Sequence, residues 1–242
     1  MAQRSPHRGR SNNPIMNSCF RCIGSIFVVS LFSVSSVFAV GERNSFSPQQ
    51  FSTGNFHGCP ATGNGSDPYL NTLKNRDKLP TTRRLYTVTQ LLNSLPKTLP
   101  NRRVHRDSWS AAQRDLAAKW ESRAVMVEGY LLRVVQEGPE TCNCGSTKYV
   151  DHHLWLATMP NSSRTQAMVV EVSPRSWLYH PSWSDNSTFQ NVINAKGKVR
   201  VAGWLTWDQE HKDQLGKTRR TLWEVHPINQ IQVQSGGHWV NL

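Results

Sequence analysis

The sequence has no glycine-rich phosphate loop, no Gly-x-Ser-x-Gly and no His-Glu-x-x-His. These absences remove the signatures of P-loop nucleotide hydrolysis, of a serine nucleophile on a strand-to-helix elbow and of a helical zinc protease. A site assembled from scattered residues on a barrel remains open. Acids are scarce: 16 Asp and Glu against 28 Lys and Arg give a net charge of +12. Residues 1–39 hold Arg4, Arg8, Arg10 and Arg21 and no acid, so +8 remains beyond them. Such a balance suits polyanions: nucleic acid, anionic lipid or anionic polysaccharide. Long apolar runs are missing with one exception, Ile23–Val40, which comes after Arg21 and ends in Val37-Phe38-Ala39. Residues 1–39 therefore read as a secretory signal peptide cleaved near Ala39, with Met16 as an alternative start, and the protein as exported, periplasmic or extracellular. An uncleaved anchor is the alternative; after cleavage no transmembrane span remains. Cysteine is sparse too. Past residue 39 only Cys59, Cys142 and Cys144 are left. In an oxidising compartment an odd count means one disulfide and a spare thiol, or a metal site. A bridge inside Cys142-Asn143-Cys144 would close a strained small ring, so Cys59 is expected to pair with Cys142 or Cys144.

What the chain does have is strand pattern. Residues 40–68 are polar, then rich in Gly, Asn and Pro, and read as linker and loop. Residues 69–123 read as an N-terminal extension whose helices pack on a β-barrel formed by the strands beyond it. Within the extension, Thr87–Leu95 is a helix capped by Thr87 and stopped by Pro96. Asp107–Arg123 is the clearest helix, with Asp107 or Ser108 as N-cap and Trp109, Ala112, Leu116 and Trp120 along one face. The barrel has five strand-like segments: Ala124–Gln136, Val150–Met159, Ala167–Ser173, Lys198–Asp208 and Thr221–Val233. A short helix is expected near Ser187–Asn194. Apolar parity in the first segment shifts across Gly129, which predicts a bulge there. Residues 234–242 read as a tail. Three strands, a helix and two strands, with a long bent first strand and mid-strand glycines at 129 and 203, resemble the order of an OB-fold barrel. The expected fold is mainly β, a five-stranded OB-fold-like barrel over 124–233. Another small all-β barrel or an open sandwich is the alternative.

Scattered pieces also resemble a group of uncharacterised exported bacterial proteins. They are Gly58-Cys59-Pro60, Leu70–Arg76, Glu140–Cys144, Asp151–His153, Ser173-Pro174-Arg175, Gly203-Trp204-Leu205, Glu210-His211 and Trp223–Pro227. The resemblance implies one unit from Cys59 to Val233 and brings no activity with it.

The chemistry concentrates at Thr221–Ile228. Alternation over 221–226 sets Trp223 and Val225 on one face and Leu222, Glu224 and His226 on the other. Pro227 removes a ladder donor, which places this strand end at an edge. If Leu154 and Leu156 fill the barrel, His153, Trp155 and Ala157 face outward and Asp151 continues the row. His153, Glu224 and His226 are thus expected on exposed barrel surface, with His211 in a loop at a barrel mouth. Imidazoles with a carboxylate suit a divalent metal; histidines that only brace loops are the alternative. A second set suits a ligand. Trp155 and Trp204 would stack on bases or sugars, while Arg200, Arg219 and Arg220 would pair with phosphates or carboxylates. Arg175 is an anion ligand or a clamp on Glu171 or Glu224. The resulting reading is an exported module that binds an extended anionic or carbohydrate ligand, an oligonucleotide or oligosaccharide. The alternatives are a metal-dependent hydrolase such as a nuclease on the same barrel, and a structural cell-envelope module. A divalent metal is the one cofactor the residues suggest.

Overall fold

Five strands close a barrel in the computed structural model, which describes residues 46–100 and 104–242. The elements run in order α1 (Pro68–Lys74), β1 (Arg84–Thr87), α2 (Val88–Ser94), α3 (Ala111–Glu121), β2 (Ala124–Gln136), β3 (His152–Ala157), β4 (Met168–Val172), α4 (Asn186–Asn194), β5 (Lys198–Trp207), β6 (Trp223–Ser235) and β7 (His238–Asn241). Antiparallel pairing joins β2 to β3, β3 to β4, β5 to β6, and β2 to β5. A parallel contact at Val170 and Val225 joins β4 to β6 and completes the ring. That is the closure expected for the OB-fold order, and it leaves none of the five barrel strands with a free edge.

Alternation decides what fills the barrel. Val125 and Val127 on β2, Leu154 and Leu156 on β3, and Val199, Val201 and Leu205 on β5 all turn inward and are buried. Trp223 and Val225 join them from β6, as the 221–226 pattern predicts. Each fully buried side chain of this kind contributes about 1.5–3 kcal/mol by leaving water.

Two ladder details differ from the sequence reading. The register of β2 against β3 shifts between Leu131 and Arg133, not at Gly129. Gly129 is required for a different reason: a Cβ there would lie 2.5 Å from the Ala157 carbonyl oxygen. Pro227 is not on an edge either. It lies in a strand paired on both sides, opposite a register shift on β5, where a Cβ on Gly203 would lie 2.2 Å from its carbonyl oxygen. The ladder is already broken there, so a residue without an N–H is tolerated.

The extension is tied down more firmly than its composition suggests. Cys59 bridges to Cys144, with 5.7 Å between Cα atoms, and Cys142 stays free and buried. Residues 46–67, read as linker and loop, hold a 3-10 turn at Pro48–Phe51 and an isolated bridge between Phe56 and Cys59, and bury Ser52, Phe56, Cys59 and Ala61. Arg76 is wholly buried and donates to the carbonyls of Leu73 (2.8 Å) and Leu205 (3.0 Å) and to the Thr206 hydroxyl (2.9 Å). Arg106 forms a two-pronged pair with Glu121, both contacts at 2.7 Å, and also donates to the Trp207 carbonyl. The N-cap of α3 is Ser110, in a capping box with Gln113, rather than Asp107 or Ser108. Its buried face runs through Ala117 and Glu121, and Ala112 is exposed. Thr87 caps α2 as expected, again with a capping box.

Two short strands lie outside the expected five. β1 runs parallel to β2, and residues 234–242, read as a tail, finish β6 and supply β7, which pairs back onto the end of β6. Residues 1–39, where the signal peptide is expected, lie outside the described residues. Among those described, no helix is long and apolar enough to cross a membrane.

Candidate functional site

The outer face of β3, β4 and β6 carries the polar chemistry. His153 on β3 stands opposite Glu171 on β4. Glu224 and His226 lie on β6, next to β4 in the ring. Asp151, just before β3, completes the group. Parity gave the facing correctly: these groups point away from the barrel core. It did not give burial. His153, Glu224 and His226, expected on exposed surface, are 1%, 0% and 0% accessible.

The physical reason is a cover that local pattern cannot show. The segment between β5 and β6 lies over the sheet, with the Trp155 indole donating to the Thr218 carbonyl at 2.6 Å and the Arg220 amide donating to the Ala167 carbonyl at 2.8 Å. The same segment brings Arg219 onto Glu224 and His211 to 3.1 Å from Asp208. From the extension, Lys74 reaches Glu140 at 3.0 Å and Asp208 at 3.2 Å. The turn between β2 and β3 adds Asn143, which donates to Asp151 at 2.9 Å, and the free thiol of Cys142 beside Glu140. Solvent meets the cluster at Glu137, Glu140 and His211, whose side chains are 28%, 19% and 19% exposed.

At the centre, the two oxygens of Glu171 face two imidazoles. One oxygen is 2.8 Å from His153 Nε2 and the other 3.0 Å from His226 Nδ1. His153 Nδ1 is 2.9 Å from Glu137, while His226 lies 3.6 Å from Asp151 and 3.7 Å from Glu224. These contacts have ion-pair distances without hydrogen-bond geometry. Both nitrogens of His153, both of His226 and both oxygens of Glu171 are buried without a hydrogen-bond partner. Buried polar atoms are hydrogen-bonded in the great majority of cases, so six on three adjoining side chains demand an explanation. A cation among lone pairs is one that the donor types fit.

The protonation states describe the cluster with no other cation present. Burial opposes charge on His226, yet Glu171, Glu224 and Asp151 raise its pKa to about 10. Burial likewise opposes charge on His153, and Glu171 and Glu137 overcome it, raising it well above the usual imidazole range. His211 is raised by Asp208 against its own burial. Burial pushes Asp151 up, and Glu140 and Glu171 push it further, to about 8. Glu171 is held well below its usual range because His153 and His226 outweigh its burial. Lys74, despite burial, is raised by Asp208 and Glu140. Without another cation, the excess of carboxylates is thus met by protons.

Among the described residues, four groups of side chains offer ligand atoms all within 4.8 Å of one another: Glu140–His153–Glu171, Asp151–Glu171–His226, Glu140–Cys142–Asp151 and Asp208–His211–Glu224. The sequence reading named His153, Glu224 and His226 for a metal. It missed Glu171, whose parity with Val169 against Met168, Val170 and Val172 put it on the same outer face. It also missed Lys74, Glu137, Glu140 and Asp208, which no local pattern connects to β3 or β6. A zinc site using Cys59 is excluded by the Cys59–Cys144 bridge.

The residues read as ligand-binding fare differently. Trp155 is buried, with its indole bonded and the Arg164 guanidinium 5.2 Å above its ring. Trp204 is 1% exposed: it donates to the Lys78 carbonyl at 2.9 Å and lies against Phe51 and Arg76. Arg175 is a clamp, though not on Glu171 or Glu224; it donates to the carbonyls of Gly54 (2.7 Å) and Cys59 (3.0 Å). Arg200 pairs with Glu128 at 3.0 Å and stacks on Trp239. Arg219 is buried against Glu224, and Arg220 alone of the six is exposed. No protein-family model, no curated protein and no solved structure matches the chain.

Proposed function

We propose that this chain is a metal-dependent hydrolase of phosphodiester-type polyanions, with the cluster around Glu171 as its centre. The observation that carries the reading is the convergence of Asp151, His153, Glu171 and His226, all buried, with the imidazole nitrogens of both histidines and the carboxylate oxygens of Glu171 used by no hydrogen bond. Mixed imidazole and carboxylate ligands suit zinc, manganese or iron. A bound divalent cation would polarise a phosphoryl oxygen and lower the pKa of water. The chain's own residues fix the ligands: Glu137 orients His153, Asn143 orients Asp151, and Arg219 holds Glu224 beside His226. The rim at Glu137, Glu140 and His211 is where substrate would enter. The basic balance of the chain favours polyanions over neutral substrates.

The test is metal analysis of the purified protein, followed by hydrolysis of bis(4-nitrophenyl) phosphate and of a single-stranded oligonucleotide with added Mn2+ or Zn2+. We expect bound metal, hydrolysis that a chelator abolishes, and loss of both in Asp151→Asn and His226→Ala. A folded protein that neither retains metal nor hydrolyses either probe would end this reading.

A second reading, the exported binding module for an extended anionic or carbohydrate ligand, is favoured by one feature. A hollow of about 570 Å3 is lined by Arg133, Arg164, Asn161, Ser162 and Gln190, near Trp155. Neither arginine has an ion-pair partner among the described residues, so both are available to an anion. Oligonucleotide binding that weakens steeply with salt, in a protein without metal or hydrolysis, would favour it. Absence of both activities would favour the structural envelope module.

A further inference from the structure

The ligand groups around Glu171 are two, not one. Glu140–His153–Glu171 and Asp151–Glu171–His226 have only Glu171 in common. The two oxygens of Glu171 point to different partners, His153 at 2.8 Å and His226 at 3.0 Å, and neither oxygen accepts a hydrogen bond. A carboxylate placed in this way, with an imidazole and a further carboxylate on each side, has the form of a bridge between two cations.

Charge gives the same number by a separate route. The ion-pair network of the cluster contains six carboxylates: Glu137, Glu140, Asp151, Glu171, Asp208 and Glu224. Two permanently charged cations are built into it. Lys74 stands between Glu140 at 3.0 Å and Asp208 at 3.2 Å, and Arg219 stands against Glu224. With the imidazoles neutral, as ligands require, a net four negative charges remain in the network. Two divalent cations cancel them; one leaves an excess of two. A third cation at Asp208–His211–Glu224 would meet no remaining net charge, since Lys74 and Arg219 already contact Asp208 and Glu224.

We infer that the cluster binds two divalent cations bridged by Glu171, one held also by Glu140 and His153, the other by Asp151 and His226. The inference rests on the metal reading above and narrows it. Paired cations about 3.5–4 Å apart stabilise both the attacking and the leaving oxygen of an in-line displacement at phosphorus. The substrate class implied is therefore a phosphate ester with a poor leaving group, such as an internal phosphodiester, rather than an activated acyl compound.

The experiment uses Mn2+ alone as probe. The full chain is stripped with chelator, loaded with excess Mn2+, freed of unbound ion, and analysed for metal per chain and for its electron paramagnetic resonance spectrum. Two Mn2+ per chain with the multiline signal of a spin-coupled pair is the expected result. Glu171→Gln should abolish the coupled signal. His153→Ala should reduce the count from two to one, leaving an uncoupled signal. One Mn2+ per chain at saturation in the wild type overturns the pair while leaving a single-metal hydrolase standing. Two bound ions with an uncoupled spectrum overturn the bridge. No retained Mn2+ overturns this inference and the reading beneath it together. The wild-type count and spectrum decide the matter even if a variant fails to fold.

Discussion

At the scale of single residues, alternation told which way a side chain points and nothing about what lies over it. Trp204 and Arg200 both project from β5 away from Val199 and Val201, and the sequence treats them alike. In the structure Trp204 is sealed under Phe51 and Arg76, whereas Arg200 is only paired with Glu128 near solvent. Trp204→Ala should therefore cost about 3–5 kcal/mol of stability, the usual range for a buried aromatic. Arg200→Ala should cost about 1 kcal/mol, the scale of a partly exposed ion pair and a stacking contact on Trp239. Denaturant titration of both variants checks the contrast, and equal losses would contradict it. Asp208 gives a pH dependence. Despite its burial, Lys74 and His211 hold its pKa well below the ordinary value. A carboxylate depressed on folding contributes stability above its unfolded pKa of about 3.9 and loses it as pH falls through the folded value. Melting temperature should fall more steeply below about pH 4 in the wild type than in Asp208→Asn. Parallel curves for the two would show that Asp208 is not depressed.

At the scale of elements, period-2 runs and turn residues located the barrel strands closely. β2 spans Ala124–Gln136 as read, and β5 begins at Lys198 as read. The short helix expected near Ser187–Asn194 is α4. Strands that carry no alternation of their own were missed: β1 is four residues, RLYT, and β7 is HWVN. Each exists because a longer neighbour offers it a ladder, and that information is not local. Both mid-strand glycines were noticed, and the bulge read at Gly129 was the wrong mechanism. Gly129 matters through close approach of the Ala157 carbonyl, whereas Gly203 combines close approach of the Pro227 backbone with a register shift on either side of it. A Cβ at 203 would meet the Pro227 carbonyl oxygen at 2.2 Å and Ile228 Cα at 2.8 Å, both backbone atoms that cannot swing aside. Gly203→Ala should destabilise by at least the 1–3 kcal/mol or so typical of overpacking. A melting temperature unchanged from wild type would refute this close contact.

At the scale of the molecule, the cysteine count pointed to one disulfide from Cys59 without fixing its partner. Cys59 joins Cys144, across 85 residues of chain, and this ties the start of the extension to the turn that presents Glu140 and Asn143 to the cluster. Removing the bridge by Cys59→Ser should cost about 2–5 kcal/mol. The variant should also bind metal more weakly, since the turn loses its tether. Reduction followed by denaturant and metal titrations would show both; intact affinity in a destabilised protein would separate the bridge from the site. The candidate site was half legible for the same reason that the fold was mostly so. His153, Glu224 and His226 declare themselves through strand parity. Lys74, Asp208 and Arg219 arrive from segments whose position depends on how the extension and the segment between β5 and β6 fold over the sheet.

Three tryptophans of the last two barrel strands spend their indole N–H groups outside the barrel. Trp204 donates to the Lys78 carbonyl, Trp207 to that of Pro100 and Trp223 to that of Pro96, at 2.9, 2.9 and 3.0 Å. The acceptors all belong to the extension. A fragment consisting of the barrel strands alone would lose these three hydrogen bonds, worth about 0.5–1.5 kcal/mol each, together with the extension's packing against the three rings. The barrel is thus not an autonomous module to which a decoration has been added. Extension and barrel form one cooperative unit that should unfold in a single transition, and homologous chains should gain or lose the two together.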